Sequence, residues 1–202
     1  MPKKDYLTEK LNKKVSALDP KFREKITELF STMHESISLL YEAAIHDEKT
    51  GLYNNKFFDT MLDIEFEKAK RGRQRLCLFV IDIDFFKKIN DAYGHLMADK
   101  LLKKLAEILQ RSLRKSDIIA RFGGEEFFII FPETSIEKAK FLTSRLREII
   151  KSDKTLKKYS LTISGGLTEF KKSDTKKTLM KRADKALYKA KNSGRYRFVV
   201  LK

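Results

Sequence analysis

Arg121-Phe122-Gly123-Gly124-Glu125-Glu126-Phe127 lies between two short apolar runs, Ile118-Ile119-Ala120 and Phe127-Phe128-Ile129-Ile130-Phe131. Two strands joined by a glycine-led tight turn account for this pattern. Gly123 and Gly124 can take positive φ and bring the backbone close to a ligand. Glu125 and Glu126 then place two carboxylates at the tip, a chemistry suited to metal-bound phosphate. An ordinary hairpin with an acidic tip has the same residues, so the turn alone leaves both readings open.

A second acidic element closes the apolar run that begins at Leu76. It reads Asp82-Ile83-Asp84. Strand ends carry loops that expose side chains on a rigid support, so ligands gather there. If the two strands are neighbours, Asp82, Glu125 and the backbone carbonyl of Ile83 form a hard-oxygen site for Mg²⁺. That ion takes one or two carboxylates and fills its shell with phosphate and water. A strand-terminating aspartate is also common, and spacing alone does not pair Asp82 with Glu125.

The elements that must position these residues follow from periodicity. Residues 1 to about 20 are polar and mixed. From Phe22, Ile26-Met33-Leu40 and Phe30-Ile37-Ala44 repeat at seven-residue spacing, which is an a/d seam. It fits either self-association or packing of one amphipathic helix on its own domain. Further helices are expected over 54–71, 85–92 and 97–114. Thr134 and Glu137 have capping-box spacing and open a helix to about Lys151. Ser173 or Asp174 caps another helix, which Gly194 closes. Strands are expected over 76–82, at the hairpin, and over 159–167 and 196–201. Helices and strands interleave around a central hairpin, which predicts an α+β domain with a mainly antiparallel sheet.

The 202 residues suffice for one domain and an extension, and 42% hydrophobic content with 15 Phe supports a substantial core. The single cysteine, Cys77, lies in an apolar run and reads as a core residue of a cytoplasmic protein. No signal peptide is visible behind Met1, and no apolar run reaches the ~20 residues of a membrane helix. The formal charge of +16 favours anionic ligands, although a lysine-rich solvated surface gives the same sum. No helix-turn-helix, zinc spacing or aromatic stacking motif accompanies the lysines, so nucleic acid is not an expected partner.

Taken together, the motifs resemble those of GGDEF domains, the diguanylate cyclases that join two GTP molecules into cyclic di-GMP. Asp82-Ile83-Asp84-Phe85-Phe86-Lys87-Lys88-Ile89-Asn90-Asp91 resembles the family's metal and nucleotide segment, followed by Gly94-His95 and Asp99. Ala183 to Lys191, closed by Gly194-Arg195, resembles its C-terminal helix motif. Asp47 with Thr50-Gly51-Leu52-Tyr53-Asn54 resembles its opening motif, so the likeness covers roughly 46–202.

The resemblance implies a ferredoxin-like or palm-like catalytic domain over 46–202, preceded by an N-terminal helical segment over 1–45 suited to dimerisation. It implies Mg²⁺ or Mn²⁺ held by Asp82, Ile83 and Glu125, with Glu126 supporting the turn or the metal shell. Glu125, Glu126 and Lys87 are the implied catalytic residues. Asn90 and Asp99 would read guanine, Gly123 and Gly124 would approach the nucleotide, and Lys87, Lys191 and Arg195 would neutralise the triphosphate. Lys191 and Arg195 are expected on one face of a helix end, at i and i+4. The reaction is attack of one GTP 3′-hydroxyl on the α-phosphorus of another. Each chain holds one GTP, so a two-fold homodimer is part of the mechanism.

Arg114-Lys115-Ser116-Asp117 resembles the family's inhibitory Arg-x-x-Asp product site, with Arg145 as an additional arginine. An arginine fork matches guanine O6 and N7 or phosphate, although a surface ion pair would have the same spacing. Three positions depart from the family pattern. Lys49 replaces a usual leucine, Asn55 a common arginine, and Ala98 a usual glycine. Lys49 bears on local packing, and Ala98 requires negative φ. Two rival readings remain. One is a catalytically silent domain that receives cyclic di-GMP through Arg114, Asp117 and Arg145, and the other is a basic nucleic-acid-binding module.

Overall fold

Leu76–Ile83 alternates its side chains across two apolar surroundings, and this makes it the central strand. In the computed structural model, which describes residues 13–72 and 74–202, all eight of its residues are buried. Expectations for residues 1–12 lie outside the described residues. The chain divides into two units, Met1–Ala44 and Ile45–Lys202. In the first, helix α1 (Pro20–Ile45) buries no residue, and Phe30, Ile37 and Leu40 of its seam are exposed. Asp19 starts it by accepting from the backbone N–H of Lys21 and Phe22 at 3.0 and 3.3 Å.

The second unit runs β1 (Tyr53–Asn54), α2 (Asn55–Lys70), β2 (Leu76–Ile83), α3 (Phe86–Tyr93) and α4 (His95–Ser112). It continues with β3 (Ile118–Gly123), β4 (Glu126–Pro132), α5 (Ile136–Ser152) and α6 (Lys154–Lys158). β5 (Ile163–Glu169), α7 (Lys176–Asn192) and β6 (Phe198–Leu201) complete it. The six strands form one sheet in the order β1-β3-β4-β2-β5-β6. The inner pairings are antiparallel, and the edge pairs β1–β3 and β5–β6 are parallel. This is the expected α+β architecture with a mainly antiparallel sheet and surrounding helices.

Alternation along β2 assigns its neighbours. Cys77, Phe79, Ile81 and Ile83 enter a core with Leu101, Leu105 and Leu146 of α4 and α5. Leu76, Leu78 and Val80 enter a second core with Phe58 and Leu62 of α2 and Leu179 and Ala183 of α7. Asp82 continues the second set in phase, which directs it to the face that carries α7. Gly166 of β5 permits the close approach of that helix. A Cβ there would lie 2.2 Å from the Ala183 carbonyl oxygen and 2.3 Å from the Leu187 nitrogen. Burial pushes the Cys77 thiol well above its ordinary value, in keeping with its place in the core.

Several local expectations are corrected. The segment 159–167 is not one strand, because Asp153 caps the short helix α6 through Thr155 and Leu156, and the strand begins only at Ile163. Ser135, not Thr134, caps α5; the Thr134 hydroxyl instead donates to the Pro132 carbonyl at 2.7 Å. Thr175, not Ser173 or Asp174, caps α7 in a reciprocal box with Thr178. Asp174 instead accepts from Arg182 at 2.8 and 2.6 Å. The last strand starts at Phe198, after positive-φ residues at 195 and 196. β1, only two residues long, carries no periodicity of its own and went unpredicted. Ala98 lies inside α4 and is absent from the positive-φ residues, so its replacement of glycine is accommodated.

Candidate active site

Antiparallel pairing of β2 with β4 places Asp82 opposite Glu126, and the Ile83 N–H donates to the Glu125 carbonyl at 3.2 Å. The strand end and the hairpin tip are therefore neighbours. Lys191, in the last turn of α7, reaches Asp82 with Nζ 2.7 Å from Oδ2. The side chain of Asp82 is 7% exposed and that of Lys191 31%. Four sequence-predicted residues, Asp82, Glu125, Glu126 and Lys191, thus share one electrostatic neighbourhood.

The carboxylates in it do not neutralise one another. Burial pushes Asp82 above the ordinary range against the pull of Lys191, and Asp84 adds repulsion. Glu125 is raised by partial burial and then by the Asp82 charge, against Lys191 and with Glu126 adding to the rise. Glu126 is raised by partial burial, Asp82 and Asp184, again opposed by Lys191. Asp184 of α7 is itself raised by burial. Such crowding disfavours the fully ionised cluster unless a cation joins it.

The donor chemistry fits a hard divalent cation, since carboxylates of Asp82 and Glu125 and the Ile83 carbonyl are all oxygen ligands. Among the described residues no three acid, histidine or cysteine side chains converge tightly enough to hold an ion unaided.

The turn that presents Glu125 is held from beneath. Gly123 and Gly124 have φ of 145° and 51°, conformations that favour glycine. Arg121, 8% exposed, donates to the Gly124 carbonyl from Nε at 3.1 Å and Nη2 at 2.8 Å. Its Nη1 donates to both Asp47 oxygens at 3.1 Å. Asp47 also accepts from the Thr50 N–H at 3.0 Å and hydroxyl at 2.6 Å. Burial pushes Asp47 upward, but the bonds from Thr50 and Arg121 outweigh it and hold the carboxyl below its ordinary value. The sequence displayed Arg121 and Asp47 within motifs but assigned neither a role. Their partnership spans 74 positions and shows no local spacing.

Asp84, immediately beyond β2, was also unassigned. Oδ1 accepts from the Ser164 hydroxyl at 2.7 Å, and Oδ2 accepts from the Thr162 hydroxyl at 2.8 Å and the Tyr196 N–H at 3.1 Å. It ties the β2 end to β5 and to the loop that carries Arg195. Arg195 does not share a helical face with Lys191, correcting the expected i, i+4 pair. α7 ends at Asn192, and Arg195 follows Gly194 with φ of 59°. Its guanidinium instead stacks 4.3 Å from the Phe85 ring centroid, and Lys88 Nζ lies 4.7 Å from the same ring. Phe85 itself takes φ of 54°. Lys87 is exposed on α3.

The predicted base-reading residues sit on the two helices after β2, joined at Gly94. Asn90 of α3 pairs with His95 at 3.2 Å and donates to the Phe86 carbonyl at 3.3 Å. Asp99 of α4 binds Lys49, whose Nζ is 2.8 Å from each carboxylate oxygen. Lys49 is exposed, so its departure from leucine adds a charge contact and leaves core packing intact.

Arg114 and Asp117 close a turn before β3. The Arg114 N–H donates to Asp117 Oδ2 at 2.9 Å, and the Asp117 N–H to the Arg114 carbonyl at 3.0 Å. Burial raises the Asp117 carboxyl against the pull of the Arg114 backbone N–H and charge. Arg114 and Asp117 line one cavity of about 200 Å³ with Tyr53 and Gln110. Arg114 and Arg145 line another of about 580 Å³ with the exposed Phe141. The Arg145 guanidinium donates to the Ser112 carbonyl at 2.7 Å. All three predicted residues therefore flank the α4–β3 turn, with Arg114 common to both cavities.

Residues 44–197 match the family model described as "Diguanylate cyclase, GGDEF domain". Diguanylate cyclase DgcP of Pseudomonas aeruginosa is 41% identical over 170 residues, covering 83% of this chain and 25% of that protein. Response regulator PleD of Caulobacter vibrioides is 37% identical over 160 residues, covering 76% of this chain and 35% of its own. The chain thus spans a quarter to about a third of the length of these two relatives. Among solved structures, the coiled coil and GGDEF domain of Caulobacter crescentus DgcB, in complex with c-di-GMP, aligns with a TM-score of 0.81 at 30% identity. That alignment covers 88% of this chain and 96% of that one. P. aeruginosa diguanylate cyclase SiaD, in complex with its activator SiaC, aligns at 0.74 with 33% identity, covering 97% and 76%.

Proposed function

The chain belongs to the GGDEF-domain family of diguanylate cyclases, and from that premise we propose that it condenses two GTP molecules into cyclic di-GMP with release of pyrophosphate. The observation that carries this reading is the register of β2 against β4, which sets Asp82 beside Glu126 and joins both to Glu125 and Lys191 in one charge cluster. The crowded carboxylates offer oxygen ligands to a cation, and the adjacent Lys191 offers a positive charge to the phosphate such a cation would carry.

Asp82, Glu125 and the Ile83 carbonyl would hold Mg²⁺ or Mn²⁺, whose bound charge lowers the pKa of the attacking hydroxyl and stabilises the leaving oxygens. Lys191, Lys87 and Arg195 bind the triphosphate, and Lys191 moves from Asp82 to a phosphate as substrate enters. Gly123 and Gly124 leave the turn open to close approach. Asn90 and Asp99 read guanine, Asp99 accepting from N1–H and the N2 amino group, which adenine cannot supply. Glu125, at the hairpin tip beside the end of β2, is the proposed acceptor of the 3′-hydroxyl proton. Glu126 supports the turn. The 3′-oxygen bonds to the α-phosphorus of the second GTP as the bond to the bridging oxygen of pyrophosphate breaks.

Two domains must face each other for both bonds to form, so the working unit is a homodimer. The exposed apolar seam of α1 supports residues 1–45 as the dimerising segment and 46–202 as the catalytic one. The cavities about Arg114 support feedback by product at Arg114, Asp117 and Arg145. No described helix is long and apolar enough to cross a membrane.

The test is GTP turnover with Mg²⁺, products identified by mass, beside Glu125→Gln. Cyclic di-GMP from the native chain and none from the variant is the expected result. A folded, concentrated native chain that makes no product but binds cyclic di-GMP would replace the cyclase reading with the receptor reading. Arg114→Ala should raise the product concentration needed for half-inhibition by about tenfold or more, as loss of a charged, forked contact does. Unchanged inhibition would remove the product site from the scheme.

A further inference from the structure

We propose that Lys49 belongs to the guanine site as an internal counter-ion that the base must displace from Asp99, so that this chain binds GTP more weakly than its other base contacts allow. The inference rests on the reading of Asp99 as a guanine-binding residue. Lys49 and Asp99 stand 50 positions apart, on the loop before β1 and on α4, yet the ammonium lies 2.8 Å from both carboxylate oxygens. Equal distances place it across the mouth of the carboxylate. Guanine needs the same place, because N1–H and N2–H₂ are two parallel donors that a carboxylate accepts with both oxygens. One ammonium and one base edge cannot both occupy it.

The pair is built for exchange. The Lys49 side chain is 52% exposed and that of Asp99 36%. Lysine carries its charge on a flexible stem, and water can take over its donors when it leaves. No buried charge is stranded by the swap. The other base-reading residue is occupied as well, since Asn90 is engaged by His95 and the Phe86 carbonyl. Lys49 differs from these because it competes for both acceptors of one residue at once. A leucine at position 49 has no group to offer Asp99, so the competition is a property of this residue type.

An exposed ion pair supports a modest penalty, up to about fivefold in affinity. The experiment measures binding of a non-reactive GTP analogue, α,β-methylene-GTP with Mg²⁺, by calorimetry on the full chain. Lys49→Leu and Lys49→Met should each tighten binding about two- to fivefold, and Lys49→Arg should retain the native affinity. In an Asp99→Asn background the Lys49→Leu gain should disappear, because the amide no longer attracts the ammonium. Unchanged or weaker binding in both Lys49→Leu and Lys49→Met overturns the inference, and weaker binding would make Lys49 a direct contact to the base. If Asp99→Asn binds the analogue as well as the native chain does, Asp99 is not a base-reading residue. The cyclase reading of that position then fails with the inference, and this outcome is distinct from a failure at Lys49 alone.

Discussion

Asp82 and Asp84 lie two residues apart at one strand end, and the fold treats them in opposite ways. Asp84 accepts from two hydroxyls and a backbone N–H, all rigidly placed by β5 and the loop before β6. Asp82 is ion-paired with the Lys191 ammonium, feels the Arg195 charge more weakly, and faces repelling carboxylates at 84, 125 and 126. Arg121 with Asp47, and Arg182 with Asp174, follow the pattern of Asp84. Carboxylates whose lone pairs are filled by the chain serve architecture. Carboxylates left crowded and partly paired are available to a ligand.

The strongest test of this division neutralises one acid of each kind. On the metal-binding role proposed for Glu125, Glu125→Gln should lower GTP turnover at least about a hundredfold. The same change should leave the melting temperature equal or higher at neutral pH, because it removes like-charge crowding. Asp84→Ala should do the reverse to the fold. It strands the buried Ser164 hydroxyl and the Tyr196 N–H, for a loss of about 2–4 kcal/mol in denaturant unfolding. A stable Asp84→Ala protein would show that the buttress is dispensable.

A smaller effect tests whether α7 is held close enough to deliver Lys191. Gly166→Ala puts a Cβ within 2.3 Å of the α7 backbone at two points. We expect about 1–3 kcal/mol of destabilisation from overpacking. Weakened GTP binding should accompany it, as Lys191 shifts with its helix. Loss of stability without any change in binding would uncouple the helix position from the site.

The smallest effects are in pH dependence, and their signs oppose. Asp47 and Asp174 have folded values below the ordinary carboxylate value of 3.8, so their stabilisation is present above it and lost as pH falls through the folded values. Asp47→Asn should therefore cost stability at pH 7, by about 1 kcal/mol, and cost little in acid. Asp82 and Glu125 have folded values above 3.8 and 4.5, so the folded state binds their protons more tightly and stability falls as pH rises out of that range. Asp82→Asn should gain stability at pH 7 and lose the gain on acidification. Unfolding midpoints of both variants across pH 3–8 decide it, and parallel curves would erase the distinction between the two kinds of acid.

Much of this was legible in the chain itself, for reasons that differ by element. The hairpin was readable because glycines flanked by apolar runs leave few alternatives to a tight turn. The strand ending at Asp82 was readable because it is apolar on both faces. Cap positions drifted by a residue or two at α5 and α7, because Ser, Thr and Asp neighbours all offer a capping oxygen. The strand expected from Tyr159 was overextended because Tyr159 and Leu161 sit in the turn that closes α6, with Ser160 at φ of 52° and the Leu161 N–H donating to the Leu156 carbonyl. Lys191 and Arg195 were read as one helical face because four-residue spacing does not reveal where a helix stops.

Residue types and spacing by themselves determined the α+β class, the acidic hairpin, the apolar seam of α1 and the set of charged residues that could meet a nucleotide. Those properties are local, since they depend on periodicity, turn chemistry and composition within short windows. Only the tertiary structure decided the pairings: Asp82 opposite Glu126, Lys191 on Asp82, Arg121 on Asp47, Lys49 on Asp99, and Asp84 turned to β5. Each joins positions far apart in the chain, and the strand register and the depth at which α7 sits on Gly166 select one partner among many chemically equivalent ones.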